Sequence, residues 1–132
     1  MILHGRKVVN GTAEGEALIS SDSVSFYGGV DPDTGIIIEP GHALCGKCIT
    51  GKVFVFPTGK GSTVGSYVIY RMKKKGTAPV AIVNVETEAI LATGCVISGI
   101  PLVDKLDLDP IKTFNTGMRL RVVGDKGLVE VL

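Results

Sequence analysis

One segment, residues 52–75, limits what this chain can fold into, because its hydrophobic pattern changes period at a single point. Residues 52–56 form a β-branched and aromatic run, which predicts a buried strand. A proline ends this run, and a loop with two glycines follows. From Val64 onward the apolar residues recur at helical spacing, so that Ile69 and Met72 share its face. The segment therefore predicts a strand, a glycine loop and a helix in that order.

Two hydroxyl residues, Ser62 and Thr63, lie where this helix is expected to begin. The first N–H groups of a helix have no partner within it, and the helix dipole favours negative charge at the same place. A hydroxyl there can carry negative charge more easily than one in open solvent. Serine and threonine are also the ordinary N-cap residues, for reasons unrelated to chemistry. Spacing alone leaves both interpretations open.

The rest of the chain has strand patterns at both ends and a βαβ-like middle. A long glycine-rich loop, residues 25–35, separates the first strands from the central segment. We predict strands at 6–10, 14–20, 36–38, 80–85 and 100–103, a stop of the central helix at Gly76, a second helix at 87–98 capped by Thr87, and a hairpin from Met118 to Val131. The sum is one α/β domain over residues 1–132, with helices packed on mixed β-sheet.

Composition excludes several classes of protein. The chain has 132 residues, of which 45% are hydrophobic and 20% charged, as in a globular domain. Fourteen basic and thirteen acidic residues give a net charge of +1, which argues against a nucleic-acid surface. No apolar run approaches the roughly 20 residues that cross a bilayer, and the first residues lack a signal-peptide pattern. Three cysteines, an odd number, favour a reducing compartment, so we expect a cytoplasmic protein.

The spacing of Cys45 and Cys48 is that of a metal or redox pair. A structural zinc site needs two more ligands, and the candidates are Cys95, His42 and His4, with no second pair at matching spacing. Two ordinary thiols are the favoured interpretation, although His42 keeps a metal site open. Residues 46–53 nearly match a phosphate-binding P-loop, but valine stands where the Mg²⁺-binding hydroxyl is needed, so we reject that motif.

Two further groups have both a functional and an ordinary explanation. Asp31 follows Gly28 and Gly29. This loop either brings the Asp31 carboxylate to a substrate or forms an ordinary backbone turn, in which glycine and aspartate are favoured. Arg119 and Arg121 share one face of a predicted strand and could meet an anion. A solvated face is the favoured interpretation for the arginines, whereas the pattern does not decide for Asp31.

Three segments together go beyond such general patterns: residues 26–35 (FYGGVDPDTG), Gly41-His42 with Gly46-Lys47, and residues 51–67 (GKVFVFPTGKGSTVGSY). They resemble the swivel domain of the aconitase X family, in which the GKGST segment is specific. Residues 81–84 (AIVN) and 99–104 (GIPLVD) also fit. The resemblance spans almost the whole chain.

The resemblance implies a swivelling β/β/α fold and a heterodimer with a larger subunit. That subunit is expected to hold an iron–sulfur cluster of the [4Fe–4S] type, with none on this chain. The implied reaction removes water from (R)-5-phosphomevalonate to give trans-anhydromevalonate 5-phosphate, in an archaeal mevalonate route to isoprenoids. Ser62 is then the proton acceptor. The expected substrate-binding residues are Lys60, Gly61, Thr63, Gly28, Gly29 and Asp31.

Two alternatives remain at this stage. A family member of the same type could use the same serine to dehydrate cis-3-hydroxyproline. A non-catalytic swivel module would only close the cleft of its partner. Cys45 and Cys48 depart from the family pattern, so we assign neither thiol to the cluster.

Overall fold

The computed structural model describes all 132 residues, with eight strands and four helices. The strands are β1 (Ile2–His4), β2 (Arg6–Val9), β3 (Thr12–Ile19), β4 (Val53–Phe56), β5 (Ala81–Asn84), β6 (Leu102–Asp104), β7 (Arg119–Val123) and β8 (Leu128–Val131). The helices are α1 (Phe26–Gly29), α2 (Gly65–Lys75), α3 (Ala89–Ser98) and α4 (Pro110–Thr113). None of these helices has the length and apolar character needed to cross a membrane.

The strands form one sheet that curls back on itself. Their order is β1-β8-β7-β3-β4-β5-β6-β2, with parallel pairing from β3 to β6 and antiparallel pairing elsewhere. Although β1 and β2 stand at opposite ends of this order, only Gly5 separates them in sequence. The two edges of the sheet therefore meet at Gly5, whose N–H donates to the carbonyl of Gly127 at 2.7 Å. The predicted α/β class with mixed sheet is confirmed.

β4 is buried on both faces and separates two hydrophobic cores. Val53 and Val55 belong to the core inside the curled sheet, and Phe54 and Phe56 belong to the core under the helices. All four side chains are 0% exposed. A strand covered on both sides needs an unbroken apolar run, and that is the pattern from which we predicted it.

α2 and α3 lie side by side on the outer face of the parallel strands. α2 ends at the predicted Gly76, which adopts the left-handed conformation at φ 78°. The predicted cap of α3 is wrong: Glu88, not Thr87, takes that position, and its carboxylate accepts the amides of Ile90 and Leu91 at 2.9 and 2.6 Å. Thr87 is displaced because its own N–H donates to Asp104 at 2.8 Å.

Several other elements differ from the prediction. Residues 36–38 do not form the predicted strand. They make two isolated bridges, Ile37 to Val30 and Ile36 to Cys48, because the neighbouring loops provide no extended segment to pair with. The strands predicted at 6–10 and 14–20 are present as β2 and β3; β2 pairs with β6, and β3 pairs with β4 and β7. Three short elements, β1, α1 and α4, were not predicted, and α1 falls within the predicted loop of residues 25–35.

Asp104, at the end of β6, ties the sheet edge to the start of α3. Its side chain is 0% exposed, and its carboxylate accepts two hydrogen bonds from Arg6 on β2, at 2.9 and 2.7 Å. Burial alone would raise the pKa of this carboxyl, but the bonds from Arg6 and from Thr87 outweigh it, so the pKa is lowered. The ionised form therefore stabilises the closure between β2 and β6.

We expect Asp104→Asn to lower the free energy of unfolding at neutral pH by about 1–3 kcal/mol, because a hydrogen bond to a charged group contributes roughly that much. The folded pKa lies below the roughly 3.9 of an unfolded aspartate, so this contribution is full above that pH and is lost as the pH falls through the folded pKa. Urea denaturation should show a gap between wild type and variant at neutral pH that shrinks in acid. Glu86→Gln removes an exposed carboxylate and serves as control; a gap independent of pH would contradict the assignment.

The α2–α3 contact depends on Gly94. A side chain there would come within 2.8 Å of the Ile69 side chain and 3.1 Å of the Ser66 backbone on α2. Gly94→Leu should therefore destabilise the chain by about 1–3 kcal/mol, the usual cost of overpacking. Thr93→Leu adds the same side chain on the exposed side of α3 and should change the urea midpoint little. Equal midpoints for the two variants would show that the helices can separate freely.

Candidate functional site

Ser62 lies in the loop of residues 57–63, which joins β4 to α2 and is called the site loop below. Its side chain is exposed. α2 begins only at Gly65, and its cap position, Val64, makes no side-chain cap bond. The Ser62 Oγ accepts the N–H of Val64 at 3.2 Å, and the Ser62 carbonyl accepts that of Gly65 at 3.0 Å. Ser62 is therefore the first residue of a turn that precedes the helix, not its N-cap.

The free amide donors are on the site loop rather than in the helix. The first helical N–H groups, of Gly65 and Ser66, already donate to the carbonyls of Ser62 and Thr63. By contrast, the N–H groups of Gly61, Ser62 and Thr63 donate to no acceptor in the chain. Ser62 and its two sequence neighbours thus carry three consecutive unpaired donors, and unpaired backbone amides can stabilise a nearby negative charge.

Two glycines let the site loop pack closely on its neighbours. Gly59 is buried, and a side chain there would come within 2.7 Å of the Glu88 carboxylate and 3.2 Å of Leu91. Gly61 has a φ of +95°, and a side chain on it would collide with the Ser25 hydroxyl. The loop that carries Ser62 is therefore fixed on one side by α3 and on the other by the segment before α1.

The structure brings the Gly28–Gly29 loop next to the site loop, as expected. The Lys60 ammonium pairs with the Glu39 carboxylate at 3.1 Å. The other carboxylate oxygen of Glu39 lies next to Gly29. A Cβ atom on Gly29 would come within 3.2 Å of this oxygen. Gly28, at φ 84°, faces open space. Lys60, Gly61, Thr63, Gly28 and Gly29 thus lie on adjoining loops, and their contact with a substrate stays a prediction.

Asp31 lies two residues beyond Gly29 and takes part in a turn; its contact with a substrate stays a prediction. Its carboxylate accepts the N–H of Asp33 at 2.9 Å, and its carbonyl accepts two further turn amides, so the observed role is turn formation. Asp33 pairs with Arg71 and Lys75, which places the turn beside the C-terminal half of α2. Ser62 precedes the other end of this helix, whose 11 residues span about 16 Å.

The surface around Ser62 is open and partly apolar. The cavity beneath it measures only about 10 Å³, and the groove between α2 and α3 beside Thr63 is shallow. Three large side chains near Ser62 are exposed: Tyr27 by 56%, Val64 by 41% and Tyr67 by 71%. The sequence analysis did not identify this exposed apolar surface. A substrate would be enclosed here only by a second surface.

The candidate metal ligands do not form a site. Cys45 and Cys48 are exposed, and Cys95 is buried, where desolvation raises the pKa of its thiol to about 12. His42 uses both ring nitrogens in hydrogen bonds within the chain. No three His, Cys, Asp or Glu side chains are grouped to hold a metal ion. The residues of this chain therefore do not fit an iron–sulfur cluster.

The two arginines of the C-terminal hairpin are engaged in ion pairs. Arg121 pairs with Glu14 at 3.2 Å and with Glu130 at 2.9 Å, and Arg119 lies 3.8 Å from Glu14. These pairs support the interpretation of a solvated face.

Comparison with known proteins gives a consistent result. A family model described as the aconitase X swivel domain matches residues 2–131. The chain is 56% identical over 130 residues to a Methanosarcina acetivorans protein named phosphomevalonate dehydratase small subunit, covering 98% of this chain and 90% of the relative. A Pyrococcus furiosus protein of the same name is 54% identical over 132 residues, covering 100% and 96%. The crystal structure of Thermococcus kodakaraensis aconitase X (holo-form) superposes with a TM-score of 0.95 at 52% identity, covering 100% of this chain and 98% of that chain.

The packing of Gly61 can be tested against a glycine of similar conformation. Gly61→Ala introduces both a strained φ, which costs about 1–2 kcal/mol, and the collision with Ser25. Gly46→Ala introduces a side chain at φ +90° with nothing within 4 Å, so it carries the strain alone. We expect the free energy of unfolding, from urea denaturation, to fall further for Gly61→Ala. Equal losses would mean that Ser25 does not fix the site loop.

Proposed function

The chain belongs to the aconitase X swivel domain family, and from this premise we propose that it is the small subunit of a dehydratase. The complex removes water from (R)-5-phosphomevalonate to give trans-anhydromevalonate 5-phosphate. Residues 1–132 act as its one swivel domain. The observation that carries the proposal is an exposed Ser62 hydroxyl among unpaired amides, on a surface that a larger polypeptide can reach.

Ser62 accepts the proton that leaves the carbon next to the substrate carboxylate. This step is difficult because negative charge develops on the carboxylate as the carbanion forms. A serine can take the proton only as an alkoxide, or where donors stabilise the charge that it develops. The unpaired amides of the site loop are such donors, and the Lys60 ammonium adds positive charge nearby. The proton moves to Oγ as the C–H bond breaks, and the hydroxyl leaves from the neighbouring carbon.

The reaction also needs a Lewis acid to assist the departing hydroxyl, and this chain does not supply one. We assign that role to a [4Fe–4S] cluster on the larger subunit. The division explains why the surface around Ser62 is open: this chain supplies the base, and the partner supplies the metal and the opposite wall of the site.

Lys60, Gly61 and Thr63 are the proposed substrate contacts on the site loop, with Gly28 and Gly29 beside them. Lys60 suits an anionic group of the substrate, and the unpaired N–H groups of Gly61 and Thr63 suit its oxygen atoms. Asp31 remains a predicted substrate contact, and its carboxylate also accepts the N–H of Asp33 in a turn.

We expect Ser62→Ala to lower the turnover of the reconstituted two-subunit complex by about 10²–10⁴-fold, because it removes the group that accepts the proton. Assembly should be unchanged, since Ser62 is exposed and its one side-chain bond is local. Thr12→Ala, which removes an exposed hydroxyl on β3, is the control and should retain full turnover.

Three outcomes distinguish the alternatives. A passive swivel module would retain most of its turnover as Ser62→Ala. A complex that dehydrates cis-3-hydroxyproline and not phosphomevalonate would keep the serine but change the substrate. The small chain alone should show no turnover, because it lacks the Lewis acid, and measurable dehydration by it would refute the division of labour.

A further inference from the structure

His42 is a buried polar residue that the proposed mechanism does not use. It lies in the loop of residues 39–48 and is 7% exposed. Its Nδ1 accepts the N–H of Leu44 at 3.0 Å, and its Nε2 lies 3.0 Å from the carbonyl of Ser23. Since Nδ1 is the acceptor of an amide, the ring proton is on Nε2 and is donated to Ser23. The neutral imidazole therefore joins two separate segments of the chain.

The segment that receives this bond supports the site loop. On one side, residues 22–25 are held by His42 and by the Asp22 carboxylate, which accepts the N–H of Ala43 at 2.8 Å. On the other side, the N–H of Val24 donates to Thr58 at 3.2 Å, and its carbonyl accepts the N–H of Lys60 at 3.0 Å. Residues 22–25 thus lie between the loop of residues 39–48 and the site loop, and hydrogen bonds join them to both. We call these three segments the ladder.

The next residue of this segment contacts the neighbour of Ser62. The Ser25 hydroxyl fills the space in which a side chain on Gly61 would lie. A continuous set of contacts therefore runs from His42 through Ser23 and Val24 to Lys60, and through Ser25 to Gly61. The two ring hydrogen bonds of His42 go to Ser23 and Leu44 and not to the site loop, so we expect any effect of this residue to act through residues 22–25.

We propose that His42 is a positioning residue: its Nε2–H bond to Ser23 fixes residues 22–25, which in turn fix the Ser62 hydroxyl relative to the reacting carbon. The expected effect on kcat rests on the proposed function. The expected effect on the position of residues 22–25 does not. Because misplacing a reacting group by about 1 Å can cost on the order of 10²-fold in rate, loss of this bond should lower kcat. KM should rise as well, because Lys60 and Gly61, which residues 24 and 25 hold, are proposed substrate contacts.

The two ring nitrogens can be separated with two variants. His42→Gln places an amide N–H where Nε2 was and can still donate to Ser23. His42→Asn places a carbonyl where Nδ1 was and can still accept the Leu44 amide, as in an Asx-turn, but does not reach Ser23. His42→Ala removes both bonds. Each variant is compared with wild type in the two-subunit complex at a temperature well below its unfolding midpoint.

We expect His42→Ala and His42→Asn to lower kcat by about 10–100-fold and to raise KM, and His42→Gln to recover both to within about threefold of wild type. A merely structural role would instead lower the unfolding midpoint of all three variants without this difference in kcat. Equal kcat for His42→Gln and His42→Asn, or an unchanged kcat for His42→Ala, would overturn the proposal.

Amide hydrogen exchange on the small chain alone provides a measurement that does not depend on activity. The N–H groups of Val24 and Lys60 should exchange faster in His42→Ala and His42→Asn, and at the wild-type rate in His42→Gln. Unchanged exchange in His42→Ala would refute the ladder even if phosphomevalonate proves to be the substrate. If exchange responds as expected while the wild-type complex fails to dehydrate phosphomevalonate, the proposed function is wrong and the positioning of the loop stands.

Discussion

The structure depends on the burial of β4 between two cores. Val53 and Val55 fill the inside of the curled sheet, while Phe54 and Phe56 pack under α2 and α3, with their rings 4.6 Å apart. Burying four such side chains contributes roughly 1.5–3 kcal/mol each, so this strand cannot slip without exposing both cores. The site loop leaves the carboxyl end of β4, where parallel α/β sheets commonly place their functional loops. The loop that carries Ser62 therefore starts from a strand that is buried on both faces.

The site is built from loops that are distant in the sequence and that the fold brings together. Gly59 packs on Glu88 and Leu91 of the α3 region, and Gly61 packs on Ser25, residues that lie far from it in the sequence. These close approaches leave the amides of Gly61, Ser62 and Thr63 unpaired toward solvent. Because these donors have no acceptor in the chain, they can bind a substrate held by the partner. For the same reason, this surface alone does not enclose a substrate.

Sequence patterns predicted the elements whose reason is local. The β4 run, α2 with its stop at Gly76 and the C-terminal hairpin follow from side-chain spacing and glycine geometry, and all three are present. The patterns failed where the deciding partner is remote: Asp104 draws the Thr87 amide away from the cap of α3, and β1 exists only because β8 pairs with it. Ser62 was found through the family resemblance and the glycine loop, but its place before the helix depends on a turn that spacing does not show. Asp31 could not be assigned, because turn and substrate roles have the same sequence signature.

The pairing of β1 with β8 also bears on how the chain acquires its shape during synthesis. Ile2 lies opposite Glu130, so β1 has no strand partner until residues 128–131 have been synthesised. Until then the inner core, which includes Leu3 and Val129, stays open on one side. Contacts of such long sequence separation carry a high loop-closure cost and slow the final step. Closure of the curled sheet therefore waits for β8, the last of its strands in chain order.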